Sequence, residues 1–252
     1  MFKKRYLSAY ITDEKVTVAE FKKILVNEPT SNILKELNEN VKSNKSIYDK
    51  KGLIGSILNY CVDKMRVSRT DSIILMLNAP AEFRYIFSEN SKSVINSIGK
   101  VNNVKKLYRI ENLVSAQIGA IKWPADDVKK RFLVYSENMK TYVYLMWAGG
   151  LVEFTCIKKN FNEINKNDIL DGIKSVSSKL TGDIPDRFRK NRNINKFKSS
   201  WSEPIDSSVY IIAPNKIKDL LGETIDKYNF IYLDYKDNVV IKGSNEIIKF
   251  IK

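Results

Sequence analysis

Hydrophobic and polar residues alternate near the start of the chain in a way that predicts three short β-strands, over 6–11, 16–21 and 24–26. The short connections between successive strands favour an antiparallel meander. The polar segment 30–51 follows and contains one weak helix. Apolar residues then recur at helical spacing over 53–65, which predicts an amphipathic helix.

The next part of the chain alternates between strands and helices. Residues 72–77 are apolar on both faces, as expected for a strand buried inside an α/β layer. We predict a helix over 81–98, a short strand over 107–109 and a helix over 111–121. The polar and proline-containing segment 123–127 indicates a boundary.

The same order of elements then recurs. The second set of predicted strands covers 131–135, 142–147, 151–157, 209–212 and 230–233. The second set of predicted helices covers 168–180, 216–228 and 245–251. We therefore predict an α/β protein with two β-meander-plus-α/β halves. The first half comprises 1–122 joined by a C-terminal helix at 243–252, and the second comprises 128–240.

Composition excludes several kinds of site. The chain has 252 residues, and its 43 Lys and Arg against 29 Asp and Glu give a formal charge of +14. It has no histidine, so the usual general base and the commonest metal ligand are missing. Its ten glycines include one adjacent pair, at 149–150, and no phosphate-loop spacing. These features argue against a glycine-dependent nucleotide site.

Cysteine usage and hydropathy bear on the cellular compartment. Cys61 and Cys156 are far apart and form no CxxC pair, so we expect reduced, buried thiols. The longest apolar stretch, 142–154, is shorter than the roughly 20 residues that a membrane span needs. The N-terminus is too short and too polar for a secretory signal. We expect a soluble, cytoplasmic protein.

Three segments resemble, in order and approximate spacing, segments of the MreB-type bacterial actins. They are ILVNEP at 24–29, IENLVSAQIGA at 110–120 and GGLV at 149–152. The repeated order of elements is also that of the actin and Hsp70 superfamily. The resemblance implies an actin-like α/β fold, the actin/Hsp70 ATPase fold, over most of the chain.

The first phosphate loop departs from the family pattern. MreB-type actins have Asp-Leu-Gly-Thr, whereas this chain has Ala9-Tyr10-Ile11-Thr12 at the matching position. Ala9 offers no oxygen to a metal ion, and Ile11 places a branched side chain where phosphate approach needs glycine. The following acidic pair, Asp13-Glu14, would repel phosphate. Ile11 and Thr12 therefore mark a degenerate loop.

The other parts of the family's nucleotide site are altered too. The second phosphate loop should read Asp-Ile-Gly-Gly-Gly-Thr, but Tyr135 replaces its carboxylate. Asn112 occupies the position of the water-activating acid and has no basic carboxylate. The lost loop glycines correspond to Glu137, Asn138, Met139, Ala213, Pro214 and Asn215. We therefore expect no catalytic residue, no cofactor and no bound metal.

Both small subdomains that MreB-type actins usually insert are expected to be reduced or lost. The first corresponds to 30–51 and the second to a basic loop at 181–204. In the family these subdomains form the outer walls of the nucleotide cleft. Their shortening therefore agrees with the altered phosphate loops.

Two segments combine cations with apolar side chains and are candidate binding surfaces. The N-terminal segment contains Phe2, Lys3, Lys4 and Arg5. The basic loop contains Arg187, Phe188, Arg189, Lys190, Arg192, Lys196, Phe197, Lys198 and Trp201. Such segments can contact an anionic membrane, stack on nucleic acid or bind a neighbouring subunit. The sequence leaves these three options open.

The resemblance and the altered loops together predict a non-catalytic, actin-like cytoskeletal protein. It would form filaments, or join those of another actin-like protein, at the inner face of the cytoplasmic membrane and influence cell shape. One alternative is a plasmid-segregation filament or a nucleic-acid-binding protein, which the charge of +14 favours. The other alternative is an ATPase with a rearranged site.

Overall fold

The structure, a computed structural model, describes residues 4–42, 44–67, 71–83, 101–121, 128–137, 139–189, 194–214, 217–234 and 238–251. The chain divides into two compact units. Unit 1 comprises Met1–Gly119 and Asn238–Lys252, and unit 2 comprises Ala120–Asp237.

Each unit is built on one mixed β-sheet. The strands are β1 Lys4–Ile11, β2 Lys15–Glu20, β3 Lys23–Pro29, β4 Ser72–Ala79, β5 Val104–Glu111, β6 Arg131–Glu137, β7 Lys140–Trp147, β8 Gly150–Ile157, β9 Ser208–Ala213, β10 Thr224–Ile225 and β11 Tyr228–Asp234. The α-helices are α1 Thr30–Glu36, α2 Leu53–Lys64, α3 Asn112–Ala120, α4 Lys166–Ser178, α5 Asp186–Arg189, α6 Lys198–Trp201, α7 Ile217–Leu221 and α8 Val239–Ile251.

The sheet of unit 1 has the order β3-β2-β1-β4-β5. β1, β2 and β3 pair antiparallel, which confirms the predicted meander, and β4 and β5 continue the sheet in parallel. Leu7, Ile11, Leu75 and Leu77 point into a core that the apolar face of α2 covers. β4 is buried along most of its length, as its unbroken apolar run predicts.

The sheet of unit 2 has the order β10-β11-β9-β6-β7-β8. β6, β7 and β8 form a second antiparallel meander, and β9 and β11 extend it in parallel. The turn between β7 and β8 has positive φ at Ala148 and Gly149, the backbone that a two-residue hairpin requires. Ile169, Ile173 and Val176 of α4 pack into the core of this unit.

Two sequence-based helix assignments need correction. The helix predicted over 216–228 is wrong: α7 ends at Leu221, and Gly222 and Asp226 adopt positive φ. The intervening residues Thr224–Ile225 pair with β11 as a short hairpin. The C-terminal helix starts at Val239, several residues before the predicted start. The helix predicted over 81–98 lies mostly outside the described residues, and its first three residues form a 3-10 turn.

α3 and α8 cross at backbone contact distance within unit 1. A Cβ added at Gly119 would lie 2.1 Å from the Val239 carbonyl oxygen. A Cβ added at Gly243 would lie 1.8 Å from the Ser115 carbonyl oxygen. Because neither position has room for a methyl group, the two glycines determine how closely α8 can approach α3.

A buried polar network ties α8 to the sheet of unit 1. The Asn78 amide nitrogen donates to the Ala9 carbonyl at 3.0 Å and to the Ser244 hydroxyl at 3.1 Å, and its oxygen accepts from Ser115 at 2.6 Å. Ser244 donates to the Ser8 hydroxyl at 3.1 Å. Ser8 in turn donates to the Asn245 side-chain oxygen at 2.7 Å, and Asn245 also donates to the Phe21 carbonyl.

Among the described residues, no helix is long and apolar enough to cross a membrane. The same residues contain no cluster of three or more His, Cys, Asp or Glu side chains that could hold a metal ion. Both cysteines are free. Cys61 is buried, and burial together with the nearby Glu28 charge raises the pKa of its thiol to about 12.

Candidate functional site

The turn between β1 and β2, where the family resemblance places the first phosphate loop, is closed by its own side chain. The hydroxyl oxygen of Thr12 accepts hydrogen bonds from the backbone amides of Glu14, at 3.3 Å, and Lys15, at 3.0 Å. The Thr12 amide donates to the Lys15 carbonyl at 2.9 Å. Backbone amides that a phosphate would need as donors are therefore occupied within the turn.

The same turn is fixed from outside by the segment between β3 and α2. A carboxylate oxygen of Asp13 accepts from the Ser46 hydroxyl at 2.7 Å and from the Ile47 amide at 2.8 Å. The Tyr48 hydroxyl donates to the Ile11 carbonyl at 2.9 Å, and the Thr30 hydroxyl donates to the Thr12 carbonyl at 2.7 Å. Asp13 is thus a structural acceptor, and the reduced segment 30–51 packs directly on the loop.

Ala9 and Asn112 both lie in the interior of unit 1. Ala9 is fully buried in β1. Asn112, also fully buried, begins α3; its side-chain oxygen accepts from the Ala81 amide at 3.0 Å. Its amide nitrogen donates to the Tyr10 hydroxyl at 3.1 Å. The side chain at the position of the family's water-activating acid therefore joins three structural segments.

The turn between β6 and β7, where the sequence resemblance places the second phosphate loop, is a short hairpin. Glu137 pairs with Lys140 across it, so only positions 138 and 139 separate the strands. Tyr135 is buried, and its hydroxyl donates to a carboxylate oxygen of Glu137 at 2.9 Å. The Met139 side chain is 58% exposed at the tip. Asn138 lies outside the described residues.

The segment where the sequence resemblance places the adenosine-side glycine run follows β9. Ala213 is the last residue of β9 and is buried, and the Pro214 carbonyl accepts from the Ile217 amide at 3.0 Å to start α7. Asn215 lies outside the described residues. The end of β9 and the start of α7 therefore form this segment, and its backbone groups take part in the hydrogen bonds of these two elements.

The N-terminal candidate surface is smaller than its sequence suggests. Phe2 and Lys3 lie outside the described residues, and Lys4 is exposed. Arg5 makes a two-point ion pair with Glu20, at 2.8 and 3.2 Å, and its side chain is only 13% exposed. The hydrogen bond to Glu20 raises the pKa of Arg5 against the opposing effect of burial. Arg5 is therefore a structural cation rather than part of an open basic surface.

The aromatic residues of the basic segment, residues 181–204, are mainly core residues of unit 2. The rings of Phe188 and Trp201 are both buried and contact the Trp147 ring, with centroids 5.2 and 5.0 Å away. Trp147 donates to the Ser200 hydroxyl at 3.0 Å, and Trp201 donates to the Gly182 carbonyl at 2.9 Å. This corrects the placement of Phe188 and Trp201 on a binding surface: their rings fill the interior.

The described cations of the basic segment are on the outside. Arg189, Lys196 and Lys198 are exposed, and Phe197 is half-buried against the core. Lys190 and Arg192 lie outside the described residues, as does the side chain of Arg187. The structure therefore separates the aromatic side chains, which anchor the segment, from the described cations, which face solvent.

Two features of this region were missed by sequence reasoning. Trp147 ends β7 and is the common contact of both anchoring rings; its place after an unbroken apolar strand was the available signal. A cavity of about 420 Å³ opens in the basic segment. Its lining is Gly182, Asp183, Ile184, Arg189, Asn195, Lys198 and Trp201.

Comparison with solved structures finds the same fold over almost the whole chain. The structure of apo ParM of psk41 covers 99% of this chain and 98% of its own, with TM-score 0.58 and 10% identity. The match to MreB5 of Spiroplasma citri bound to ADP covers 98% of this chain and 97% of that chain, with TM-score 0.53 and 12% identity. The fold is actin-like. This confirms the fold class that the order of elements and the sequence resemblance predicted.

A further match is the Alp12 filament structure, with TM-score 0.51, 9% identity and coverage of 98% of this chain and 99% of that one. No family model matches the sequence, and no curated protein matches it either. Identities this low show a shared actin-like fold, and function has to be argued from the residues of this chain.

Proposed function

We propose that this protein is a non-catalytic, actin-like cytoskeletal protein of the MreB type that forms filaments without nucleotide, or joins those of another actin-like protein. It acts at the inner face of the cytoplasmic membrane and influences cell shape. The observation that carries the proposal is the actin-like fold combined with a first phosphate-loop turn whose amides already bond to Thr12.

Several local contacts support the loss of nucleotide binding. The amides of Glu14 and Lys15 donate hydrogen bonds to the Thr12 hydroxyl oxygen. The Asp13 carboxylate, which accepts a hydrogen bond from Ser46, would repel a phosphate bound at this turn. Asn112 bonds to the Ala81 amide instead of presenting a base to water. The turn 138–139 is too short and lacks the glycines of a phosphate cradle.

Filament formation is supported by a protein that shares this fold. The Alp12 structure is that of a filament, and its fold matches this chain over nearly the full length of both chains. An end-to-end protein interface depends on surface complementarity, and it does not chemically require a bound nucleotide. A chain that has lost the nucleotide site can therefore keep an assembly interface, with assembly controlled by a partner or by concentration.

Membrane association is supported by exposed cations at one end of the unit 1 sheet. Lys22 and Lys23 are exposed at the turn between β2 and β3, and Lys4 is exposed at the start of β1. The rings of Tyr6 and Phe21, 6.3 Å apart, hold the two segments together. Each lysine near an anionic leaflet contributes about 1 kcal/mol to binding.

Sedimentation and electron microscopy with and without ATP test the filament proposal. We expect filaments of the same appearance and amount in both conditions, and no release of phosphate from ATP. Spiroplasma citri MreB5, whose structure contains ADP, serves as the positive control for nucleotide binding measured in parallel. Filaments that form only with ATP, or measurable hydrolysis, would contradict the non-catalytic proposal.

Co-sedimentation with phosphatidylglycerol vesicles tests the membrane proposal. We expect the Lys22→Gln/Lys23→Gln variant to bind these vesicles more weakly than the wild type does. A variant with Lys158→Gln and Lys174→Gln, which removes two exposed charges from unit 2, is the matched control. Equal binding of all three proteins would remove the end of the unit 1 sheet as the membrane contact.

Nucleic-acid binding is the second candidate function, and the formal charge of +14 is the observation that favours it. Binding to plasmid DNA, measured at rising salt concentration, tests this candidate function. Affinity that depends on many phosphate contacts falls steeply with salt. DNA binding that persists at physiological salt and exceeds vesicle binding would favour a DNA-segregation filament over the membrane proposal.

A further inference from the structure

The cavity in the basic segment has the size and lining of a small-molecule site. Its volume, about 420 Å³, lies in the range typical of pockets that take small ligands. Gly182, Asp183 and Ile184 form one part of its wall. Arg189 of α5, Asn195 of the 3-10 turn Ile194–Lys196, and Lys198 and Trp201 of α6 form the rest. The cavity lies within unit 2 and uses none of the positions assigned above to the lost nucleotide site.

The walls of this cavity are held by core contacts. Arg189 directly follows Phe188, whose ring is buried against Trp147 and fits so closely on Gly150 that an added Cβ there would lie 2.6 Å away. Lys198 lies one helical turn before Trp201, which is buried against the same Trp147 ring. These core contacts fix the backbone positions from which the two cations extend.

The charges in the cavity favour an anion that also carries hydroxyl groups. Arg189 and Lys198 supply two cations, and Asp183 supplies one carboxylate. Arg189 also donates to the Ile184 carbonyl at 3.0 Å, and its guanidinium pairs with the exposed Asp186 at 3.4 Å; these two contacts orient it. Arg and Lys are the usual donors to phosphate oxygens. A carboxylate in the same cavity repels phosphate but accepts hydrogen bonds from hydroxyl groups, and the Asn195 amide can both donate and accept.

We propose that this cavity binds a phosphate ester of a small polyol. Arg189 and Lys198 hold the phosphate, and Asp183 and Asn195 bond to the hydroxyl groups. Trp201 forms part of the floor. The chemistry is shared by a soluble polyol phosphate and by the glycerol phosphate group of an anionic lipid headgroup. The proposal goes beyond the proposed function and does not depend on filament formation.

Equilibrium binding of glycerol 3-phosphate and of inorganic phosphate tests the assignment. Titration calorimetry gives the affinity, and the indole N–H signal of Trp201 in an NMR spectrum reports binding at the cavity itself. The Arg189→Gln/Lys198→Gln variant should bind glycerol 3-phosphate at least about tenfold more weakly, because charge-assisted hydrogen bonds are lost. Both side chains are exposed, so the variant should fold as the wild type does.

The Asp183→Asn variant shows whether the cavity is specific for a polyol phosphate or binds any small anion. Replacing the carboxylate should strengthen binding of inorganic phosphate, because a like charge is removed. Binding of glycerol 3-phosphate should gain less, because the hydroxyl acceptor is weakened at the same time. Equal gains for both ligands would overturn the polyol assignment and leave a simple anion site.

The Lys158→Gln/Lys174→Gln variant, which removes two exposed charges of unit 2 away from the cavity, is the matched control and should bind as the wild type does. Equal weakening in this variant would overturn the cavity assignment in favour of a non-specific charge effect. A wild-type protein that binds neither ligand and gives no shift of the Trp201 signal, in solution or with phosphatidylglycerol vesicles, would overturn it as well.

The binding assay with phosphatidylglycerol vesicles shows whether the ligand is a soluble polyol phosphate or a lipid headgroup. Binding of glycerol 3-phosphate in solution that Arg189→Gln/Lys198→Gln abolishes supports a soluble ligand. Binding that appears only with phosphatidylglycerol vesicles, and is lost in the same variant, supports a lipid headgroup. Binding of single-stranded DNA alone, lost in this variant, would overturn the small-ligand proposal. Failure of these assays leaves the ATP-independent filament test unaffected, so the two proposals fail separately.

Discussion

Side chains at the family's nucleotide-binding positions have structural partners in this protein. Thr12 closes the turn between β1 and β2, and Asp13 caps the segment that contains Ser46 and Ile47. Asn112 connects the start of α3 to Ala81 and Tyr10. A buried polar group without a partner is costly, so the hydrogen bonds of the buried Asn112 stabilise the fold.

Asn112→Ala should lower the free energy of unfolding by about 1–3 kcal/mol, because the buried amide of Ala81 loses its acceptor. Asn112→Asp keeps an acceptor oxygen but places an ionisable carboxyl in a fully buried position, so it should cost at least as much. Denaturant unfolding of both variants measures the difference. If the nucleotide site is lost as we propose, Asn112→Asp should also show no ATP hydrolysis. An alanine variant as stable as the wild type would show that this contact is not structural.

Helix contacts and helix caps determine how the individual elements are held. α3 and α8 meet through backbone atoms at Gly119 and Gly243, where other residue types would force the helices apart. α4 begins with a capping box in which Asn165 and Asp168 bond to each other's backbone amides, at 3.1 and 3.0 Å. Both features act locally, so single substitutions can test them.

Gly119→Ala or Gly243→Ala should destabilise unit 1 by about 3 kcal/mol or more, because the new methyl group overlaps a backbone oxygen. Alanine is intrinsically better than glycine inside a helix by about 1 kcal/mol, and the overlap outweighs that gain. Thermal unfolding measures both variants. Gly182→Ala is the control, because a Cβ there meets nothing within 4 Å. Unchanged unfolding of the Gly119 and Gly243 variants would contradict the close crossing.

Asp168→Asn should lower stability at neutral pH by about 1 kcal/mol. Burial raises the pKa of Asp168, but hydrogen bonds from Lys159, at 2.8 and 3.0 Å, and from the Asn165 amide outweigh burial and lower it below 3.8. The stabilisation is therefore complete above this ordinary value and is lost as pH falls through the lowered pKa. The two proteins should become equally stable in strong acid.

Urea unfolding of the wild type and of Asp168→Asn between neutral and acidic pH measures this convergence. Asp171→Asn is the matched control, because Asp171 lies on the same helix but its side chain is 75% exposed and its ion pair with Lys174 is at the surface. A stability difference between the wild type and Asp168→Asn that stays constant with pH would show that the carboxylate charge contributes nothing.

The whole molecule carries a formal net charge of +14, an excess of cations over Asp and Glu that ion pairs within the chain leave unchanged. Self-repulsion among unpaired cations destabilises a compact state, and the effect is strongest when little salt screens it. Exposed cations such as Lys22, Lys23 and Lys198 contribute to this repulsion. The same charge raises the affinity for anionic partners.

The melting temperature should rise as NaCl increases from about 10 mM to about 0.2 M, because the Debye length falls from about 30 Å to below 10 Å and the repulsion is screened. Differential scanning calorimetry measures the change. Sucrose at matched osmolality is the control, since it leaves the charges unscreened. A melting temperature that falls with salt would show that favourable ion pairs outweigh repulsion in this protein.

The sequence alone determined the local elements and the residue types available at each position. The strand periodicity of β1, the buried run of β4 and the apolar face of α2 are local patterns, and the structure confirms them. The absence of glycine from the phosphate-loop positions also follows from the residues themselves. These features depend on neighbours within a few positions, so they can be predicted without the fold.

Only the tertiary structure decided which side chains of the basic segment are available. Phe188 and Trp201 look like surface aromatics in a run of cations, but both pack on Trp147, which is more than 40 residues earlier in the chain. Likewise, the bond from Ser8 to Asn245 joins residues 237 positions apart. Periodicity within one segment carries no information about such distant partners, because they are selected by the packing of the folded sheet and helices.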